Sequence, residues 1–272
     1  MKQLLLLISI GFGLSAFTFG DEPSYRVLEY DNFGRGERLE FSVNFGIFTI
    51  GEAEMIIDDK FYKVNHRECY KIDIFGRTSG MVDWVANVND HWGAYVDSAA
   101  LVPHISYRNI REGKYKKDEV VRFDHRVNLI ETKVADKKTG KFKEPKVYVS
   151  QGEVRDMMAG ALYLRTIDFS KMKKGDKFII NGFFEDTFYD LEMIYRGREK
   201  VKTKAGKFNA IRLAPVVPDN ELFDGEDSVI AWVTDDENRM PLKIQAKMFI
   251  GNVSVELTDY KNTQHDVTSK IK

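Results

Sequence analysis

The side chains able to do chemistry are few and scattered. Five histidines, His66, His91, His104, His125 and His265, stand far apart in the chain. A metal site needs several imidazoles, thiolates or carboxylates brought to one point. His66 and Cys69 have a ligand-like gap but no second pair beside them, so no zinc site is expected. The acidic stretch Asp219, Glu221, Asp224, Glu226 and Asp227 carries oxygen ligands of the kind calcium takes. It lacks the glycine at the sixth position of an EF-hand loop and reads as a solvated loop. Gly34-Arg35-Gly36 has neither the third glycine nor the following helix of a dinucleotide site, and no phosphate-cradling Gly-x-x-x-x-Gly-Lys loop is present. No Gly-x-Ser-x-Gly nucleophile elbow appears either. No catalytic residue, cofactor or metal is therefore assigned, and only a site assembled from distant Ser, His and Asp stays open.

The remaining charge is dispersed. The chain has 41 basic and 42 acidic residues, a net charge of −1. Nucleic-acid binding calls for a concentrated positive face. The basic runs Lys114 to Lys117, Lys137 to Lys146 and Lys171 to Lys177 are each broken by acidic or turn residues, so no nucleic-acid partner is expected. Asp235-Asp236-Glu237-Asn238-Arg239-Met240-Pro241 reads as a hairpin turn whose Asp and Asn bond local backbone, with a recognition loop as the rival reading. Cys69, the single cysteine, has no partner within the chain and reads as a buried small hydrophobe.

The N-terminus says where this domain works. Lys2 is followed by an apolar run from Leu4 to Phe19, a small residue, Gly20, and the polar Asp21-Glu22-Pro23. That order is the pattern of a cleavable secretory signal, so residues 1–20 are expected to be removed. The loss of Lys2 leaves 40 basic against 42 acidic residues, a net charge of −2. Small and hydroxylated residues dilute a segment already short for a membrane span. No cysteine follows it for lipid attachment, so the mature protein is expected to be exported and soluble, with no membrane span.

Residues 21–272 are expected to form one β-rich domain with an ordered core over about 25–262 and a loose polar tail from Asn262 to Lys272. Period-two alternation dominates. Leu39, Phe41, Val43 and Phe45 alternate with polar residues, as do Val121, Phe123 and Val127, with His125 on the apolar face. Tyr189, Leu191, Met193 and Tyr195 repeat the pattern, as do Leu242 to Met248 and Val253 to Leu257. Turns are expected at Glu112-Gly113, Lys138 to Gly140, Arg196-Gly197-Arg198, Lys204 to Gly206, Asp235 to Asn238 and Gly251-Asn252. Gly46 and Gly51 flank Ile47-Phe48-Thr49-Ile50, where they supply bends or bulges.

One segment breaks the alternation. Val154, Met157, Met158, Ala161 and Leu162 recur at helical spacing over 153–165, and Ser150 with Glu153 forms a capping box. A shorter helical turn is expected around Met81, Val82 and Val85. The expected fold is thus mainly β, a curved antiparallel sheet or partly open β-barrel packed around one amphipathic helix. If that sheet encloses a cavity, Phe41, Val43, Phe45, Met157, Tyr189, Leu191 and Met193 are its expected lining, though ordinary core packing, with Trp84 and Trp92, asks for the same residues.

Several segments taken together carry a resemblance. Gly36-Glu37-Arg38-Leu39-Glu40-Phe41 leads to Ile50-Gly51-Glu52-Ala53, and Ala205-Gly206-Lys207-Phe208 is followed by Arg212 to Pro215. Trp232-Val233-Thr234-Asp235-Asp236 runs on through Arg239-Met240-Pro241-Leu242. In this order they resemble the bacterial exported-protein family catalogued as domain of unknown function 3108. The resemblance implies a Gram-negative envelope location and a β-rich fold, and it supplies no activity or catalytic residues. The expected function is non-enzymatic binding of an apolar or lipid-like envelope ligand. A structural or interaction role with an envelope protein partner is the alternative, and a hydrolase acting on envelope polymers a more distant one.

Overall fold

The computed structural model describes residues 25–80, 87–216, 227–249 and 251–272. The export segment, the turn at Met81 to Val85 and the acidic residues Asp219 to Glu226 lie outside them. Eight strands come first: β1 (Arg38–Phe45), β2 (Phe48–Val64), β3 (Arg67–Thr78), β4 (Asn89–Asp97), β5 (Pro103–Glu112), β6 (Tyr115–Asp124), β7 (Leu129–Val134) and β8 (Lys146–Val149). Helix α1 (Met157–Arg165) separates them from β9 (Lys177–Phe184), β10 (Thr187–Thr203), β11 (Gly206–Pro215), β12 (Val229–Thr234), β13 (Pro241–Met248), β14 (Gly251–Lys261) and β15 (Lys270–Ile271).

The strands form one antiparallel sheet in the order β8 to β1, then β14 down to β9, with β15 on β11. Two meanders are thus joined back to back through β1 and β14, and the two open edges, β8 and β9, belong to the middle of the chain. Bulges at Val43/Asn44, Tyr195/Gly197 and Trp232/Val233 bend the sheet, each adding local twist. The expectation for Gly46 and Gly51 holds. Gly46 turns the chain at φ 57°, and a Cβ on Gly51 would meet the Arg77 carbonyl oxygen of β3 at 2.5 Å.

Arg196-Gly197-Arg198, expected as a turn, is a bulge inside a continuous β10. Val127 is exposed in the β6–β7 turn rather than inward on a strand, because β6 ends at Asp124. The Asp235 to Asn238 turn is present: Asp236 accepts from the Thr234 hydroxyl at 2.7 Å and the Asn238 amide at 3.1 Å. The C-terminal tail is not loose. Asn238 donates to the His265 carbonyl at 3.0 Å and accepts its amide at 2.9 Å, and β15 pairs with β11.

Helix α1 starts later than the capping box suggested. Asp156, not Ser150, is its N-cap, accepting the Ala159 amide at 2.8 Å. Residues before it are extended, since the Arg155 amide donates to Asn181 of β9 at 2.9 Å and its carbonyl accepts from Phe183 at 2.9 Å. Backbone at the mouth of a split sheet needs partners, and β9 supplies them in place of a first helical turn.

The concave face of the sheet wraps α1. Met158, Ala159 and Leu162 pack with Leu39, Ile57, Ile72, Val96, Leu242 and Leu257. A second cluster joins Phe169 to Met193, Tyr195, Ile211 and Leu213, and a third joins Val154 to Phe123 and Phe183. At the far end of α1, Arg165 is fully buried in a two-pronged pair with Glu37, at 2.5 and 2.9 Å.

Candidate functional site

The seam between β8 and β9 is where the sheet fails to close. Among the contacts that tie it are the Arg155 backbone on β9, Lys146 Nζ to Asp186 Oδ2 at 2.7 Å, and the Tyr148 and Phe183 rings at 5.2 Å. Beside these ties an open groove of about 990 Å³ remains, lined by Val149, Val154, Tyr163, Ile179, Phe188 and Tyr189. Val149 is 70% exposed and Ile179 54%, values that place apolar surface in solvent along two sheet edges. Arg26, Glu153, Arg155 and Asp190 line the same groove. The Arg155 side chain points inward, donating from Nε to the Leu101 carbonyl at 3.0 Å, with its guanidinium 3.9 Å from the centre of the Tyr163 ring. Burial lowers its pKa, with Glu153 opposing.

Behind the groove lies a buried charge network. Arg108 of β5 donates from Nε and Nη2 to Glu119 Oε1 of β6, at 2.8 and 2.5 Å, and from Nη1 to Glu185 at 3.1 Å. Lys117 reaches the other Glu119 oxygen at 2.7 Å, and the Arg108 guanidinium rests on the Trp92 and Phe184 rings. Next to it Asp156 is 8% exposed, with Oδ2 unpartnered. Burial pushes its carboxyl up to about 7. The cavity these groups share is about 20 Å³, room for roughly one water.

Three histidines stand beside carboxylates: His104 on Asp97, His91 on Asp73, and His265 on Asp31 and Glu237 at 3.3 and 3.4 Å. Asp97 accepts from Arg67 at 2.6 and 3.0 Å, from the Ala99 and Ala100 amides at 2.9 Å and from His104 Nε2 at 3.2 Å. Both residues are fully buried, and Asn65 donates to His104 Nδ1, so neither imidazole nitrogen is left for a substrate. Burial also pushes the adjacent Cys69 thiol up to about 12. At the second pair, Asp73 is shared by Lys71, His91 and Tyr107 at 2.9, 2.7 and 2.6 Å. These networks fasten strands to one another. Among the described residues no group of three or more metal-ligating side chains converges.

The residues expected to line one cavity are dispersed. Met193 is buried in the second core cluster. Phe41 packs on the first cluster, Val43 is half-buried, and Phe45 is exposed at the β1–β2 turn. Met157 opens α1 beside the small cavity, Tyr189 lines the seam groove, and Leu191 is exposed two residues further along β10. Sequence reasoning missed Arg108, Glu119, Arg155 and Asp156. A signal existed for Glu119, which shares the inward period-two register of Val121 and Phe123.

Fold and site together define an antiparallel, barrel-like sheet split along one side and wrapped on a single described helix. The chain belongs to the protein family of unknown function DUF3108, whose model matches residues 40–258. No curated protein is similar enough to count as a match. Among solved structures, the beta-barrel-like protein of domain of unknown function DUF1849 from Brucella abortus is similar at 10% identity and a TM-score of 0.51. The match covers 88% of this chain and 99% of that one, a likeness of fold. A candidate lipoprotein from Parabacteroides distasonis ATCC 8503 aligns at 8% identity over 88% of this chain and 100% of its own, but its TM-score of 0.29 supports no argument.

Proposed function

We propose that the protein is a non-enzymatic binding protein of the bacterial cell envelope that holds an apolar or lipid-like ligand in the seam groove between β8 and β9. The observation that carries this reading is a set of exposed apolar side chains, Val149, Ile179, Phe188 and Tyr189, in a groove of about 990 Å³ whose other walls are polar, with Arg26, Gln151, Glu153 and Asp190 among them. Contiguous exposed apolar surface on a folded domain marks a binding site. Among the described residues α1 and its partners pack the concave face and the cavity beside α1 holds roughly one water, which favours the seam over the interior. The ligand lies along the seam instead. The secretory pattern of residues 1–20 supports an exported, periplasmic setting.

The test is direct. The chain from residue 21 onward, purified without detergent, is extracted with organic solvent and titrated with a fluorescent fatty-acid probe. Recovered lipid, and probe binding weakened roughly tenfold or more by Ile179→Asp with Val149→Asp, supports the reading. Absence of both lipid and probe binding overturns it. A second reading rests on β8 itself, a four-residue edge strand whose free side could accept a partner's strand. Stoichiometric cross-linking of one envelope protein through β8, with no lipid recovered, favours that reading.

A further inference from the structure

The small cavity beside α1 gathers buried oxygen atoms that the fold leaves idle. Asp156 caps the helix through Oδ1, which takes the Ala159 amide, while Oδ2 has no partner and the residue is 8% exposed. Thr132 of β7 is 3% exposed, and neither its hydroxyl nor Asp186 Oδ1 completes a hydrogen bond. Against the cost of burial, Lys146 and then nearby Thr132 keep the Asp186 carboxyl low. All three residues line the same space of about 20 Å³, room for one group of roughly water's size. Buried polar atoms in native folds are partnered, so three idle oxygens around one space call for a hydrogen-bond donor. Met157 and Glu185 in the same wall are more than half exposed, so solvent reaches it.

The charge around this cavity does not balance. Glu119 and Glu185 bond Arg108 and Lys117, and Asp186 bonds Lys146. Those three carboxylates meet three cations. Asp156 is a fourth carboxylate, and no described basic side chain bonds it. The remaining wall is apolar and aromatic, with Trp92, Met158, Phe183 and Phe184. Two of these rings, Trp92 and Phe184, already hold the neutralised Arg108 guanidinium, so the wall suits a cation.

We propose that this cavity binds a primary ammonium group, as the free ion or as the head of an amine-bearing molecule, with Asp156 Oδ2, Asp186 Oδ1 and Thr132 Oγ1 accepting its protons. An ammonium group is close to water in size, supplies the missing positive charge and offers three or more donors, as a lysine head does. A hard metal ion suits the place less. Calcium takes about six to eight oxygens and magnesium about six, whereas no group of three or more metal-ligating side chains converges among the described residues. The cavity shares no lining residue with the seam groove, so the two sites stand or fall separately.

The experiment melts the chain from residue 21 onward, which contains the whole described fold, at pH 8 and constant ionic strength in ammonium, methylammonium, sodium, potassium or tetramethylammonium chloride. The native Tm rises with ammonium and methylammonium concentration above its value in the other three salts. Labelled ammonium gives an independent readout, a bound nitrogen-15 signal whose protons exchange slowly with water. Asp156→Asn and Thr132→Val, checked as folded by far-UV circular dichroism, each weaken the apparent affinity roughly tenfold or more. Glycerophosphoethanolamine separates the sources: stabilisation matching methylammonium marks an amine headgroup as ligand, and stabilisation by the small ions alone marks the free ion. Equal stabilisation by potassium overturns the proposal, because a cation without donors then serves as well. So does the lack of any preference for ammonium over sodium, or an undiminished effect in either variant, because the cavity then holds water alone.

Discussion

Removing Arg165 should loosen the whole molecule. This side chain is 1% exposed at the end of α1 and makes four bonds: two to Glu37 at 2.5 and 2.9 Å, one from Nε to the Asn238 carbonyl at 3.0 Å and one to the Asn32 carbonyl at 2.9 Å. It thereby fastens α1 to the chain entering β1 and to the β12–β13 turn. Arg165→Ala leaves the Glu37 carboxylate buried without its counter-ion and two carbonyls without a donor. Breaking a buried pair costs about 3–5 kcal/mol. At about 2–4 °C per kcal/mol for a domain near this size, Tm should fall by roughly 6–20 °C. Glu37→Ala should cost a similar amount, and the double variant markedly less than the sum, because each single change strands the other group. Urea unfolding followed by far-UV circular dichroism, with m unchanged, measures all three. A loss below about 1 kcal/mol in either single variant, or strict additivity, would refute the reasoning.

Two further outcomes follow from buried titrating groups. Burial raises Asp156 to about 7 and lowers His125 to about 4. Folded Asp156 keeps its proton above the unfolded value of about 3.9, so it makes stability fall as pH rises from about 4 to 7. Unfolded His125 protonates first, so that group makes stability fall as pH drops from about 6.5 to 4. The slopes oppose each other in the native chain. Asp156→Asn, which retains a capping oxygen, should raise Tm at pH 8 and leave the His125 slope exposed in a thermal-melt series from pH 4 to 8. A variant less stable than native at pH 8 sinks this account. Cys69, fully buried with its thiol pushed up to about 12, should resist iodoacetamide at pH 8 until the chain is unfolded in urea, as mass spectrometry will show.

What was legible in the sequence was local. Alternation along Leu39 to Phe45 marks β1 as a strand, but beyond the bulge between Glu40 and Phe41 it is Ser42 and Asn44, rather than Phe41 and Val43, that are buried, and the Met158 and Leu162 spacing marks the apolar stripe of α1. Gly197 misled because glycine between arginines signals a turn and a bulge alike; the bulge prevails because Tyr195 and Arg198 each remain paired with β11. Ser150 and Glu153 have capping-box spacing, but the β9 edge claims the backbone of Arg155 before a helix can start. The seam itself has no local signature. Val149 and Ile179 line one groove only because β1 pairs with β14 and leaves β8 and β9 at the ends of the sheet. Arg165 lies seven residues from Met158 on the same helical stripe, a charge in an apolar register that is readable once the partner, Glu37, is known.

The pairing of β1 with β14 also orders events in time. Arg38 meets Lys261, so the contact that joins the two meanders spans nearly the whole chain. Closing a loop of that length carries its entropic cost before any contact repays it. Each meander can zip from its own short turns, yet the sheet stays in two pieces until β14 is in place to pair with β1. The same arrangement sets the start of β1 beside the end of β14, while the open seam lies at residues 150–156. A circular permutant cut there and joined between Lys272 and the start of the fold would build the spine first and the seam last.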